Sequence, residues 1–166
     1  MTTAGVTSPL APLLHVVLDR PRIAGNIGAI VRLAAATGAA VHVCGPLALA
    51  PQAKDMRRAG LDYWADARVH FHEDLWRCLS LLDKPPWVIE VGGAHAPWDV
   101  ALAPGDVVVL GPEDGSVPDA LRHPRERVLT LPTRPGMRSL NLAQCASVVV
   151  FEAVRQSASG YARPSP

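Results

Sequence analysis

Long apolar runs are absent from this 166-residue sequence, and none reaches the ~18 residues that a membrane-spanning helix needs. Residues 1–12 lack the basic start and the apolar stretch of a signal peptide. We therefore expect a cytoplasmic protein. The length fits a single domain, and 49% hydrophobic with 19% charged residues is an ordinary globular composition.

Cysteine is scarce, and neither cysteine nor histidine shows a metal-binding pattern. Cys44, Cys78 and Cys145 are widely spaced and form no CxxC pair, so we expect buried free thiols rather than a disulfide or zinc framework. The six histidines have no ligand spacing such as HxxxH. His70 and His72 would share one face of a strand, but nothing else in the sequence joins them. We therefore predict no metal site.

Strong net charge is also missing. The formal net charge is +1 with histidine neutral, so contacts to nucleic acid would have to come from local basic clusters or from two subunits together. The GxGxxG dinucleotide fingerprint, the Walker A sequence and the GxSxG nucleophile elbow are absent as well.

Strand-like and helix-like segments alternate along the chain. Their order predicts one α/β domain over residues 13–156, with a mostly parallel sheet, helices on both faces and disordered tails at 1–12 and 157–166. Ligands of such sheets bind in loops at the carboxyl ends of the strands. The predicted strands are 13–18, 40–44, 87–91, 107–110 and 128–131, and the predicted helices are 26–37, 53–59, 72–82 and 141–156.

Two loops that follow predicted strands combine glycine, proline and charge. In residues 111–118, two glycines allow a ligand to approach the backbone closely, although a strand-to-helix turn opened by Pro118 explains them as well. Residues 131–141 hold two prolines, a glycine and two arginines just before the last helix. Ser139 or Asn141 could cap that helix, whose free N–H groups suit polar ligand atoms. This density of restricted residues favours a functional loop over a plain connection.

Two basic segments are candidates for binding phosphate groups. Gly28 and Arg32 share a helix face, where the small glycine would let a phosphate or ribose approach the arginine. Residues 54–64 combine three cations with Tyr63 and Trp64, which suits phosphate contacts and base stacking. In both segments the alternative is a solvated basic helix, with the aromatic residues of the second packed on the core.

The last predicted helix is apolar around nearly its whole circumference. A helix of this kind is buried, either within the core or against a partner. Because it lies at the end of a small domain, a subunit interface through residues 141–156 is the favoured interpretation, and burial in the core is the alternative.

Three motifs, in order, resemble those of the SPOUT superfamily of α/β-knotted RNA methyltransferases. They are Asn26-x-Gly28-x-x-x-Arg32, Gly111-Pro112-Glu113 with Pro118, and residues 131–142 running into 149–153. The resemblance covers residues 13–156. It is closest to the small single-domain family that methylates the ribose 2′-oxygen of the wobble nucleotide of tRNA, because residues 57–63 look like that family in particular.

The resemblance implies a trefoil knot in the C-terminal third and a homodimer through the last helix. It also implies tRNA as partner and S-adenosylmethionine as cofactor, which leaves as S-adenosylhomocysteine, with no metal. By motif position, the catalytic residues would be Arg32, Asn26 and Arg138; the cofactor-binding residues would be Glu90, Gly111, Glu113, Leu131, Pro132, Ser139 and Asn141; and the RNA-binding residues would be Arg22, Lys54, Arg57, Arg58 and Tyr63.

The implied reaction is a direct in-line transfer, in which the ribose 2′-hydroxyl attacks the sulfonium methyl. The protein must hold these two groups at about 3–3.5 Å and stabilise the negative charge that grows on oxygen. Since a guanidinium does not deprotonate, we expect Arg32 to stabilise the alkoxide electrostatically rather than to act as a base. The sequence departs from the family at Ser116, where glycine is usual, at Phe151, where tyrosine is common, and in residues 91–95.

Three other functions are compatible with parts of this pattern. One is a methyltransferase of the same fold that acts on ribosomal RNA, although residues 57–63 favour tRNA. Another is a non-catalytic RNA-binding module, against which the intact Arg32 and the complete third loop argue. Without the resemblance, the residues alone indicate a nucleotide-binding α/β domain of unknown role.

Overall fold

Six parallel strands form the sheet of this protein, whose computed structural model describes residues 11–46, 63–137 and 139–157. Along the chain the elements are β1 (Leu14–Asp19), α1 (Ala24–Thr37), β2 (Ala40–Cys44), β3 (Arg68–His72), α2 (Leu75–Leu79), β4 (Trp87–Ile89), β5 (Asp106–Leu110), β6 (Val128–Leu129) and α3 (Leu142–Gln156), with 3-10 turns at Pro97–Asp99, Asp119–Leu121 and Arg125–Arg127. The strand order is β3-β2-β1-β5-β4-β6, and every neighbouring pair is parallel. The predicted α/β class is confirmed.

β1 lies in the interior of the sheet and is buried on both faces. Leu14 and Val16 point to one face and Val17 to the other, because successive side chains of a strand alternate. The first face is covered by α1 and α3, whose apolar residues form one core cluster with it. The second face is covered by α2, through Leu75 and Cys78. Helices therefore lie on both faces, as the alternating pattern predicts.

α1 starts at Ala24 rather than at residue 26. Its end is as predicted, since Gly38 has a φ of 73° and donates its backbone N–H to the carbonyl of Ala34 at 2.8 Å. Ile23, at the start of α1, provides no side-chain cap. Polar groups for this end of the helix must therefore come from elsewhere in the chain.

The predicted helix over residues 72–82 is confirmed only in its middle, and the strand before it was not predicted. Residues 68–72 form the edge strand β3, and the helix that follows covers only Leu75–Leu79. Most of β3 is solvent-exposed, so it lacks the apolar run that reveals the buried strands. Asp74 sets the start of the helix, because its carboxylate accepts a hydrogen bond from the backbone N–H of Arg77 at 2.8 Å.

The other predicted strands differ from the structure only at their ends. β4 ends at Ile89 rather than at residue 91, and β6 is limited to Val128–Leu129. The predicted helix over 53–59 and most of the predicted tails lie outside the described residues. The trefoil knot stays a prediction.

α3 is partly exposed in the single chain, so the core alone does not bury it all round, and the predicted subunit interface through this helix stays a prediction. Asn141 caps it by accepting a hydrogen bond from the backbone N–H of Ala143 at 2.9 Å. One face packs on α1 and the sheet, whereas Val148 is 37% exposed and Phe151 is 56% exposed. Among the helices of the described segments, none combines the length and apolarity needed to cross a membrane.

Candidate active site

A cleft of about 260 Å³ opens at the carboxyl ends of β4, β5 and β6. Its wall mixes apolar side chains with carboxylates and hydroxyls, which is the usual composition of a small-molecule site. The position agrees with the rule that ligands of parallel sheets bind in the loops after the strands. Six of the seven residues predicted to bind a cofactor line it: Glu90, Gly111, Glu113, Leu131, Pro132 and Ser139.

Gly111 lets the loop after β5 fold back on itself. A Cβ atom at this position would lie 3.0 Å from the backbone nitrogen of Val117 and 3.2 Å from the carbonyl carbon of Ser116, so a side chain would push the loop outward. Glu90 holds the same loop from β4. Its carboxylate accepts the backbone N–H of Val91 at 3.1 Å and that of Val117 at 3.4 Å. The loops after β4 and β5 are thus fixed to each other.

A partly buried hydrogen-bond network joins the three sequence motifs beside the cleft. One oxygen of Glu113 accepts from Asn26 Nδ2 at 2.9 Å and from the backbone N–H of Ile23 at 3.1 Å. The other oxygen accepts from the backbone N–H of Arg22 at 2.8 Å. Asn141 Nδ2 donates to Asn26 Oδ1 at 2.9 Å. Asn26, which is 6% exposed, therefore connects the loop after β5 to the start of α3.

Glu113 supplies the carboxylate that α1 lacks at its own N-terminal end. Burial raises the pKa of Glu113, but hydrogen bonds from Asn26 and from the backbone of Arg22 and Ile23 outweigh this effect and leave the pKa below its usual value. The ionised carboxylate is therefore the stable form, and it lies at the positive end of the α1 dipole. Since Asn141 caps α3, the network fixes the starts of both helices.

The sequence profile of the SpoU rRNA Methylase family matches residues 13–151 of this chain. The chain belongs to this family. A relative from Polaromonas sp. strain JS666, named tRNA (cytidine(34)-2′-O)-methyltransferase, is 40% identical over 151 residues, which are 87% of this chain and 92% of that protein. The predicted methyltransferase family is therefore confirmed.

Two solved structures share the fold of this SpoU methylase. One, described as structural insights into the 2-OH methylation of C/U34 on tRNA, is 33% identical and covers 86% of this chain and 95% of its own, with a TM-score of 0.79. The other, an AdoMet-bound rRNA methyltransferase from Sinorhizobium meliloti, is 25% identical and covers 92% of this chain and 63% of its own, with a TM-score of 0.75.

In this SpoU methylase Arg32 lies on α1, outside the wall of the cleft. Its side chain is exposed, and the guanidinium carbon lies 4.8 Å from the centre of the Tyr63 ring, a cation–π distance. The structure thereby brings together the predicted catalytic arginine and one of the predicted RNA-binding residues.

The remaining predicted RNA-binding and catalytic residues divide into two groups. Arg22 is exposed, and its guanidinium lies 2.7 Å from the carboxylate of Asp114, beside the Glu113 loop. This exposed ion pair contributes little stability, so Arg22 can exchange Asp114 for a phosphate at low cost. The others, Lys54, Arg57, Arg58 and Arg138, lie outside the described residues.

Sequence reasoning missed part of the wall. Asn141, predicted as a cofactor contact, is not among the residues that line the cleft and instead bonds to Asn26. Thr130, Met137 and Cys145 do line it. Thr130 directly follows β6, so the rule about strand ends could have found it. Met137 lies in the loop 131–141 that was predicted to be functional, although no role was assigned to it, whereas Cys145 lies on α3 and carries no such signal.

Proposed function

We propose that this SpoU methylase transfers a methyl group from S-adenosylmethionine to the ribose 2′-hydroxyl of the wobble nucleotide of tRNA. The printed functions of the Polaromonas relative and of the C/U34 structure support this substrate. The observation in this chain that carries the proposal is the network around Asn26. It connects the helix that bears Arg32 to the wall of the cleft, so the same hydrogen bonds fix the position of this helix relative to the proposed cofactor site.

The wall of the cleft suits S-adenosylmethionine. Apolar side chains such as Leu131 and Leu140 offer a surface for a flat ring, and the carboxylates of Glu90 and Glu113 are suitable partners for a cation. When bound, this cofactor supplies a methyl group on a sulfonium that is already activated for transfer. The AdoMet-bound relative supports the assignment. We assign binding to Glu90, Gly111, Glu113, Leu131, Pro132 and Ser139, with Asn141 acting through Asn26.

Arg32 has the proposed electrostatic role. A guanidinium stays protonated, so it can stabilise the negative charge that develops on the 2′-oxygen. Arg32 rests on Tyr63 outside the cleft of its own chain. The bound RNA must therefore place its 2′-oxygen beside Arg32, or the cleft of a second subunit must face this arginine. Asn26 is a positioning residue, because it contacts Glu113 and Asn141. Arg138 is assigned to the site by its place in the third motif.

The proposed RNA surface starts from the exposed side of α1. Arg22 and the basic segment with Lys54, Arg57 and Arg58 supply charges for phosphates. Tyr63 offers a ring on which an exposed base can stack.

We also propose that the protein forms a homodimer through α3. We propose further that it is cytoplasmic and has the trefoil knot of its family. Phe151 and Val148 are large apolar residues that remain exposed on this helix in the single chain. Exposed apolar groups on one helix face favour contact with a partner. The proposed reaction requires no metal, since the sulfonium is already a good leaving group.

Methylation of total tRNA tests the proposed reaction. Purified protein is incubated with labelled S-adenosylmethionine and tRNA from a strain that lacks this gene, and the labelled nucleoside is mapped. We expect label at a 2′-O-methylated wobble nucleotide. Arg32→Ala should abolish turnover and leave calorimetric cofactor binding nearly unchanged, whereas the exposed control Arg122→Ala should keep both. Normal turnover of Arg32→Ala would contradict its assignment.

Ribosomal RNA is the second candidate substrate, because the family profile and the Sinorhizobium meliloti structure carry rRNA in their names. The same assay with ribosomal RNA separates the two. Label on ribosomal RNA but not on tRNA would overturn the wobble proposal. A protein that fails to bind S-adenosylmethionine would instead favour a non-catalytic RNA-binding module.

A further inference from the structure

Histidine and cysteine side chains cluster on the half of the sheet away from the cleft. His42 is in β2, His72 ends β3 and Cys78 is in α2, and one potential ligand atom of each lies within 4.8 Å of the others. Cys78 is fully buried, His42 is 5% exposed and His72 is half-buried. These three residues are the His–Cys cluster. β1 separates β2 and β3 from the strands whose loops form the cleft, so the cluster is distinct from the proposed cofactor site.

The parallel register of β2 and β3 assembles the cluster. His42 pairs with His70 and Cys44 pairs with His72, so all four side chains point to the same face of the sheet. The short helix α2 covers that face and brings Cys78 to the two histidines. Because His42 and His72 are 30 positions apart, the sequence shows no ligand spacing, and the prediction of no metal site rested on that absence.

The two nitrogen donor atoms already lie close to the separation they would have around a bound ion. His42 Nδ1 is 2.9 Å from His72 Nε2. A tetrahedral zinc ion, with bonds of about 2.0 Å to nitrogen and 2.3 Å to sulfur, holds its ligand atoms roughly 3.3–3.6 Å apart. The imidazoles must therefore separate slightly, and a small rotation of the half-buried His72 provides this.

His15 hydrogen-bonds to His42 on the side of the ring that faces away from the proposed ion. His15 Nδ1 lies 2.9 Å from His42 Nε2. When His42 Nδ1 faces an ion, Nε2 carries the proton and donates it to His15. Metal-binding imidazoles almost always make such a second hydrogen bond, which fixes the ring and its tautomer. On the sulfur side, the buried Cys44 belongs to the same core cluster as Cys78.

We propose that the His–Cys cluster binds a zinc ion through His42 Nδ1, His72 Nε2 and Cys78 Sγ, with a water molecule as fourth ligand. Two imidazoles and one thiolate match the borderline-soft character of Zn²⁺. On binding, the Cys78 thiol releases its proton to solvent, and each neutral imidazole keeps its single proton on the nitrogen that faces away from the ion. The ion joins the largely exposed edge strand β3 and the five-residue α2 to the buried β2, so its binding should stabilise this half of the sheet.

Zinc binding by the 166-residue chain, purified without a histidine tag, tests the proposal. After dialysis against a chelator, the protein is titrated with zinc in competition with a chromophoric chelator, and separately with cobalt. We expect one zinc ion per chain and a thiolate-to-cobalt charge-transfer band. Cys78→Ser should remove the band, and His72→Asn should weaken zinc binding about tenfold or more. His70→Asn is the matched control and should keep both, because His70 stacks on His42 at 4.9 Å but lies outside the cluster.

Several outcomes would overturn the zinc site. They are a wild-type chain that binds no zinc, a cobalt band that survives Cys78→Ser, or a His72→Asn variant with unchanged affinity. His72 is half-buried, so its variant stays informative if Cys78→Ser fails to fold. Hydrogen exchange gives an independent readout. Zinc should slow exchange in residues 68–79 and leave residues 130–137 unchanged, and equal exchange with and without zinc would refute the proposed stabilisation of this half of the sheet.

Discussion

Asn26→Ala removes the centre of the network that joins the three motifs. The variant loses one hydrogen bond to the Glu113 carboxylate and one to the Asn141 amide, both at 2.9 Å. A hydrogen bond to a charged group contributes about 1.5–3 kcal/mol and a neutral one about 0.5–1.5 kcal/mol. Asn26 is only 6% exposed, so water cannot readily replace the lost amide. We expect the free energy of unfolding to fall by about 2–4 kcal/mol.

Thermal and urea unfolding, followed by circular dichroism, measure this change. For a chain of this size the Tm should fall by roughly 5–15 °C. Gln144→Ala is the matched control, since Gln144 is exposed on the first turn of α3 and its side chain lies outside the network. A loss below about 1 kcal/mol for Asn26→Ala would refute the reasoning, because an unmade pair of buried hydrogen bonds costs more. A double-mutant cycle with Asn141→Ala should give a coupling of about 0.5–3 kcal/mol, and additive losses would mean that the two residues act independently.

Three further variants probe the acid response, the cleft and the subunit interface. The pKa of Glu113 is lower in the folded chain than in the unfolded chain, so its contribution to stability is present above the unfolded pKa and is lost as pH falls through the folded pKa. Glu113→Gln should therefore make the free energy of unfolding in urea less dependent on pH in the acid range. An equal pH dependence in the variant and the wild type would count against this. Gly111→Ala should weaken calorimetric binding of S-adenosylmethionine, because its Cβ meets backbone at 3.0 Å, while Gly25→Ala, with open space around its Cβ, should not. Phe151→Glu should convert the proposed dimer to monomers in sedimentation, and a persistent dimer would remove α3 from the interface.

The buried strands could be predicted from the sequence, because burial requires consecutive apolar residues and these form a recognisable run. β1, β2 and β5 are short apolar runs between turn residues, and such runs mark strands covered on both faces. β3 could not be found in this way, since an exposed edge strand needs no apolar run. The bounds of α2 depend on Asp74, whose capping role becomes visible only with the backbone in place.

The candidate site is readable only in part, because its contacts span long stretches of chain. Glu113 and Asn141 meet Asn26 across 87 and 115 positions, and no periodicity or spacing encodes such a meeting. The resemblance identified all three residues but assigned Asn141 to the cofactor rather than to Asn26. The His–Cys cluster was missed for the same reason, since strand register rather than sequence spacing assembles it.

α1, which bears Arg32, contacts β2 and β3 and is also bonded to the loop after β5, and this predicts how loss of the proposed zinc would affect activity. Tyr63, which supports Arg32, precedes β3 by a few residues, whereas the N-terminal end of α1 is held at the cleft by Glu113. Loosening β3 should therefore disturb Tyr63 and the RNA surface before it disturbs the cofactor cleft. We expect chelation of zinc, or His72→Asn, to raise the KM for tRNA while the Kd for S-adenosylmethionine stays within about twofold. A weakened cofactor Kd with an unchanged KM for tRNA would mean that the cluster acts on the cleft through β1 instead.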